Sequence, residues 1–354
     1  MRVGILTVHR AINIGAVLQT YALQELLREL GHDTQVINYV QEKVERTDRE
    51  QYDSKKRMDF LLHGHLRGFL TFKSVQKRVT ARRKLFDDFL HQYLRLTEPC
   101  DAQSIPQDFD AYVIGSDQLW NSHIFGYQDN VFWGNFSHKK GSKIYAYADS
   151  TTVNDLEATS NSFLNQSLKN FEAISVREKE VADYLNSHFD LPRQAELVLD
   201  PTITAGRSLW DQMRTKQAST EPYVLVYCAR TYQPQPDLIM QKAQKLARQL
   251  GCRIRLLEME KASDFVDLIS NASYVLSSSY HGIVFSLMYN RPMYAIMYGD
   301  DQDRRYVNLM KLLGAEKMLL NIHDEARPQE VDYSSINAKI VQMAEFSKNY
   351  LKQI

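Results

Sequence analysis

Residues able to do chemistry gather where apolar runs give way to polar turns. The clearest stretch is Ser279-Tyr280-His281-Gly282, between an expected strand at 273–277 and an expected helix from Gly282. Histidine can pass a proton near neutral pH, glycine lets the backbone approach an anion, and a helix N-terminus adds amide dipoles. A histidine there could equally cap the helix or pack in a core. Arg177 follows a short expected strand at 173–176. A guanidinium clamps carboxylate or phosphate through two parallel hydrogen bonds, which lysine cannot copy, though an ion pair with Glu178 is a plainer use. Asn13, Gly15 and Gln19 lie at the first strand-to-helix turn. Their amides suit hydroxyls or a phosphate, while Gly15 could simply turn the chain. Ser116 and Asp117 end another strand and could bind hydroxyls, with Asp117 as a base, or cap the next helix. Asp200 precedes Pro201, an ordinary turn pairing, but could position Arg177 or a hydroxyl. Arg304 and Arg305 follow the last expected strand and could supply a cation or form a solvated helix start. His63-Gly64-His65 has no metal-ligand partner at a convincing spacing.

The elements that must position these residues alternate between strand and helix. An apolar run at 2–8, a helical pattern at 16–30 ended by Gly31, and a second run at 34–40 make a βαβ unit. Residues 41–100 break the pattern: they are rich in charge, with Phe60, Leu61, Leu62, Leu66, Phe69 and Leu70, then Leu85, Phe86, Phe89 and Leu90, at helical spacing. We read them as a helical insertion. Strands are expected again at 111–114, 142–147 and 173–176, with a helix at 160–170. Beyond 196–200 the pattern restarts, with strands at 223–229, 253–258, 273–277 and 293–297 and helices at 237–250, 265–271 and 282–289. A final amphipathic helix, about 334–351, could return to the first domain. The reading is an α/β chain of two Rossmann-like domains, 1–195 and 196–333, with 334–354 as the C-terminal helix.

Composition narrows the function classes. Apolar residues make up 44% and charged residues 24%, which suits an ordinary globular chain and argues against bulk disorder. Lys plus Arg equals Asp plus Glu, 43 each, so there is no basic excess of the kind a nucleic-acid binder carries. Cys100, Cys228 and Cys252 are far apart and odd in number, a poor disulfide framework, so a reducing compartment is expected. The apolar start stops at His9-Arg10, too short for a signal-peptide core, and no run approaches the roughly 18 apolar residues of a membrane span. The expected location is the cytoplasm. The basic stretch from Met58 to Lys84 could touch the inner face of an anionic membrane, or simply pack on the first domain.

Five blocks in order resemble the polysaccharide pyruvyl transferase family. They are Gly4-Ile5-Leu6-Thr7 with Asn13 to Gln19; Val113 to Asn121; Ser175-Val176-Arg177-Glu178; Leu199-Asp200-Pro201-Thr202; and Ala272 to Leu287. The resemblance spans nearly the whole chain. It implies two Rossmann-like domains in a glycosyltransferase-B-like arrangement, with phosphoenolpyruvate as donor substrate and no cofactor or metal. A sugar, glycan or lipid-linked saccharide would be the acceptor of a pyruvate ketal. The family's catalytic or substrate-binding histidine falls on His281, expected as general acid, and its phosphoenolpyruvate-binding arginine on Arg177. Ser279 and Gly282 are counted with the histidine as binding residues. Some members carry Arg-Leu-His where this chain has Ser279-Tyr280-His281, so a cation of that pattern is missing here. A nucleotide-sugar glycosyltransferase of the same architecture, or a sugar- or anion-binding relative without catalysis, is the alternative.

Overall fold

A computed structural model describes residues 1–41, 66–122, 126–215, 221–228, 236–257 and 261–354. The backbone divides into two α/β units, Met1–Leu197 and Val198–Gln353.

The first unit is built on β1 (Arg2–Leu6), β2 (Asp33–Val36), β3 (Ala111–Asp117), β4 (Lys143–Asp149), β5 (Phe171–Val176) and β6 (Glu196–Leu197). All pair in parallel, in the order β2-β1-β3-β4-β5-β6. Parallel strands are covered on both faces, which is why β3 and β4 are runs of buried residues rather than alternations. Helix α1 (Ile14–Glu29) links β1 to β2, and α2 (Leu66–Tyr93) precedes β3. The short helices α3 (Val153–Ala158) and α4 (Asn161–Ser167) join β4 to β5, and α5 (Lys179–His188) joins β5 to β6. One core holds Ile114, Ala146, Ile174 and Leu185, with Trp120 stacked on Trp133 at 4.7 Å between centroids. Within the expected insertion, α2 is one continuous helix; Phe60, Leu61, Leu62 and His63-Gly64-His65 lie outside the described residues.

The second unit opens with α6 (Pro201–Thr204) and α7 (Arg207–Met213). Then β7 (Tyr223–Tyr227), α8 (Pro236–Leu250), β8 (Arg253–Leu256), α9 (Ala262–Asn271), β9 (Tyr274–Ser277), α10 (Tyr280–Met288), β10 (Met293–Met297), α11 (Arg304–Leu313) and β11 (Leu319–Asn321) alternate. Its parallel sheet runs β11-β10-β9-β7-β8. The terminal helix α12 (Ser334–Leu351) packs against α6, where the Leu199 amide donates to Ser347 Oγ at 2.9 Å. Among the described residues no helix is long and apolar enough to cross a membrane.

Numbered within its own unit, each sheet is wound 2-1-3-4-5, with a sixth strand added in the first. The order reverses between strands 1 and 3. Right-handed crossovers from those two strands leave toward opposite faces, opening a crevice above their carboxyl ends. In the first unit the crevice lies above β1 and β3, and in the second above β7 and β9.

Candidate functional site

At the first switch point, Gln19 ties the two strand ends together. It is buried on α1, its Nε2 donates to Thr7 Oγ1 at 2.9 Å and to the Ala16 carbonyl at 3.0 Å, and its Oε1 accepts from the Ser116 amide at 3.1 Å. Thr7 Oγ1 in turn donates to the Ser116 carbonyl at 3.0 Å. The side-chain amide therefore serves the protein. Asn13 is exposed and caps α1, its Oδ1 accepting from the Gly15 amide at 2.9 Å. Ser116 is buried and donates from Oγ to the Ala148 carbonyl at 3.0 Å. Gly115 has φ +128°, its peptide bond to Ser116 is cis, and a Cβ on it would stand 2.0 Å from the Tyr147 carbonyl oxygen.

Three neighbouring strands then end in charged groups. Asp117 on β3 is in register with Asp149 on β4, and Asp149 with Val176 on β5, which Arg177 follows. The Arg177 Nη2 lies 3.4 Å from Asp117 Oδ1, with side-chain exposures of 3% and 15%. Backbone bonds lock the three turns: Arg177 N–H donates to the Asp149 carbonyl at 3.1 Å, and Ser150 N–H to the Asp117 carbonyl at 3.0 Å. Asp149 is fully buried, and neither carboxyl oxygen has a hydrogen-bond partner among the described residues. Burial holds its pKa well above the ordinary carboxylate range; Arg177 works against this, and Glu178 and Asp117 add to it. Glu178 is buried beside them and accepts from Ser150 Oγ at 2.7 Å.

Asp149 and Glu178 were not singled out from sequence as site residues. The signal was present for Asp149: a carboxylate terminating the apolar run Ile144 to Ala148, one strand over from Asp117. Among the described residues no group of three His, Cys, Asp or Glu side chains is placed to hold a metal ion.

The second switch point carries the histidine. His281 is buried and is the second residue of α10, inside the helix rather than in the loop before it. Ser279 is the N-cap, its Oγ accepting from the Gly282 amide at 3.4 Å, which moves the helix start two residues earlier than the glycine suggested. Asp200 has no exposed surface; its Oδ1 accepts from the Thr202 amide at 2.9 Å and hydroxyl at 2.6 Å. Its Oδ2 faces His281 Nε2 at 3.8 Å, an ion-pair distance longer than a hydrogen bond. A Cβ on Gly282 would meet Ser277 Oγ at 2.4 Å and Tyr227 Cδ1 at 2.8 Å, so this glycine lets α10 seat on the ends of β7 and β9. Ser278, also buried here, has an Oγ without a hydrogen-bond partner among the described residues.

The remaining candidates follow β10. Arg304 begins α11 largely exposed, with Nη2 3.0 Å from Asp301 Oδ1. Arg305 beside it is half-buried. The turn before them is fixed by Asp303, whose Oδ2 accepts from the Tyr298 and Gly299 amides at 2.8 and 2.7 Å.

Similarity to known proteins fits this architecture. No curated protein matches the chain. Among solved structures, a UDP-GlcNAc 2-epimerase from Neisseria meningitidis bound to UDP-GlcNAc is similar with a TM-score of 0.51 at 10% identity, over 100% of this chain and 93% of that one. An S. aureus MnaA–UDP structure gives 0.50 at 10% identity, over 99% and 90%. At such identities the likeness shows the fold alone, two Rossmann-like domains of the glycosyltransferase-B-like class. The family model for polysaccharide pyruvyl transferase matches residues 13–301, a span holding Arg177, Asp200 and His281; the chain belongs to the polysaccharide pyruvyl transferase family.

Proposed function

We propose that the protein forms a pyruvate ketal on a sugar, with phosphoenolpyruvate as donor. The observation that carries this reading is the His281–Asp200 pair at the carboxyl end of β9, inside the span that matches the family. In this reading His281 delivers a proton to the donor's methylene carbon, leaving a cationic centre at the carbon that bears phosphate. One sugar hydroxyl adds there, phosphate departs by cleavage of the C–O bond, and a second hydroxyl of the same sugar adds to the same carbon. Two hydroxyl protons are lost: one offsets the proton fixed in the new methyl group, and the other leaves with phosphate. Asp117 is the base for a hydroxyl, Asp200 orients the imidazole and supports its charged form, and Arg177 holds the donor's anionic groups. The acceptor is a glycan or lipid-linked saccharide. Three cysteines, odd in number and far apart in sequence, suit work in the cytoplasm, where basic residues could bring the protein to the inner face of the membrane.

The test is phosphate release from phosphoenolpyruvate across an acceptor panel. Loss of the general acid in His281→Ala should lower the rate by roughly 10²- to 10⁴-fold. Equal rates in wild type and variant would remove His281 from the chemistry. Thermal stabilisation by a uridine diphosphate sugar, with no response to phosphoenolpyruvate, would favour nucleotide-sugar chemistry instead.

A further inference from the structure

The cluster on the first sheet contains an arrangement that the mechanism above leaves unexplained. Arg177 leaves the end of β5, yet the acid it reaches is Asp117 on β3, two strands away. Between them, on β4, stands Asp149, in register with Asp117 on one side and with Val176 on the other. The guanidinium thus pairs with the carboxylate two strands away, while the carboxyl on the strand between them has no hydrogen-bond partner among the described residues. Were Asp149 ionised, it would be a buried carboxylate with neither oxygen hydrogen-bonded among the described residues, offset in part by the field of Arg177. Such a charge is too expensive to leave uncompensated.

We propose that Asp149 is a positioning residue that keeps its proton at neutral pH and thereby holds Arg177 on Asp117, at the partly exposed edge of the cluster. The ionisable groups acting on it are Arg177 and Glu178, which follow β5, and Asp117 on β3. Among the described groups acting at Asp149, counting every carboxyl as ionised sets Asp117, Asp149 and Glu178 against the Arg177 guanidinium. Holding one carboxyl neutral removes a negative charge from the place where a donor anion must approach. Loss of that proton restores the charge and draws Arg177 inward to β4. This inference rests on the donor-binding role given to Arg177 above.

Two measurements separate the parts. Infrared spectra at pH 7 should show a protonated-carboxyl stretch in wild type that is absent in Asp149→Asn; no such band in wild type overturns the proposal. Titration calorimetry with phosphoenolpyruvate from pH 7.5 to 9.5, where the donor phosphate, with its second pKa near about 6, is fully ionised, reads the consequence. Wild-type affinity should fall up to tenfold per pH unit once Asp149 ionises, and the Asp149→Asn profile should stay flat whatever its absolute level. Parallel profiles would mean that Asp149 does not gate Arg177. A wild type showing the band but binding no phosphoenolpyruvate at any pH would sink the donor reading and leave the proton assignment standing.

Discussion

Gln19→Met should loosen the first switch point without emptying it. Methionine keeps nearly the same length and volume, so no sizeable cavity forms and the change isolates the amide's hydrogen bonds. The Ser116 N–H loses the Gln19 Oε1 acceptor at 3.1 Å, and a buried donor deprived of its acceptor costs about 1–3 kcal/mol. Thr7 Oγ1 and Thr20 Oγ1 lose the Nε2 donor, but each still donates, to the Ser116 and Ala16 carbonyls. That second loss is therefore an ordinary net bond, about 0.5–1.5 kcal/mol. Together the substitution should destabilise the first unit by about 1.5–4.5 kcal/mol. Two of the three tryptophans, Trp120 and Trp133, lie in that unit and Trp210 in the other. Urea unfolding followed by fluorescence in a Trp210→Phe background therefore reports the first unit alone. A loss below about 0.5 kcal/mol, accompanied by loss of sugar binding, would refute the argument and return Gln19 to the role of a ligand amide.

Gly282→Ala should destabilise the second unit by about 1–3 kcal/mol, because the new methyl must displace Ser277 Oγ, which already donates to the Tyr227 carbonyl at 2.7 Å. Differential scanning calorimetry would show it, and an unchanged transition would mean that α10 can slide off the strand ends. The Asp149 proton also predicts a stability profile. A carboxyl whose folded pKa lies above its unfolded value contributes stability that is complete below the unfolded pKa, near 3.9, and lost as pH rises through the folded value. Asp149→Asn should therefore gain on wild type as pH is raised, read as the difference in first-unit unfolding between acidic and alkaline buffers; a difference that ran the other way would contradict a neutral Asp149.

Much of the fold was legible because buried parallel strands announce themselves as apolar runs. β1, β3, β7 and β10 begin where those runs begin, and α12 has the bounds its periodicity suggested. Ends were less legible, since they depend on partners far away in sequence. β4 continues past Tyr147 to Asp149 because Asp117 on β3 keeps pairing with it, and β6 is only Glu196–Leu197, paired to β5 in the first sheet. α5 was missed although Val181, Ala182 and Leu185 bury one face of it, because its ten residues carry too few apolar positions to stand out. At the site, residue types pointed to His281, Arg177, Asp117 and Asp200 as places to look. What they do locally was not readable: Ser279 reads as a binding hydroxyl until it is seen capping α10, and Asp149 reads as a strand end until its burial is known.

The two glycines beside the candidate residues explain why those residues are where they are. Gly115 has a neighbouring-strand carbonyl, and Gly282 a neighbouring hydroxyl, in the space where a Cβ would stand. Neither position is an opening kept clear for a ligand; in both, protein atoms already fill it. The close approach fixes the direction in which the chain leaves the strand, and the adjacent residues inherit that direction. After Gly115 it turns Asp117 toward Arg177, with Asp117 itself at φ +89°. Around Gly282 it seats the first turn of α10 so that His281 faces Asp200. A larger residue at either glycine should thus disturb its neighbour's charge pairing before it disturbs the sheet.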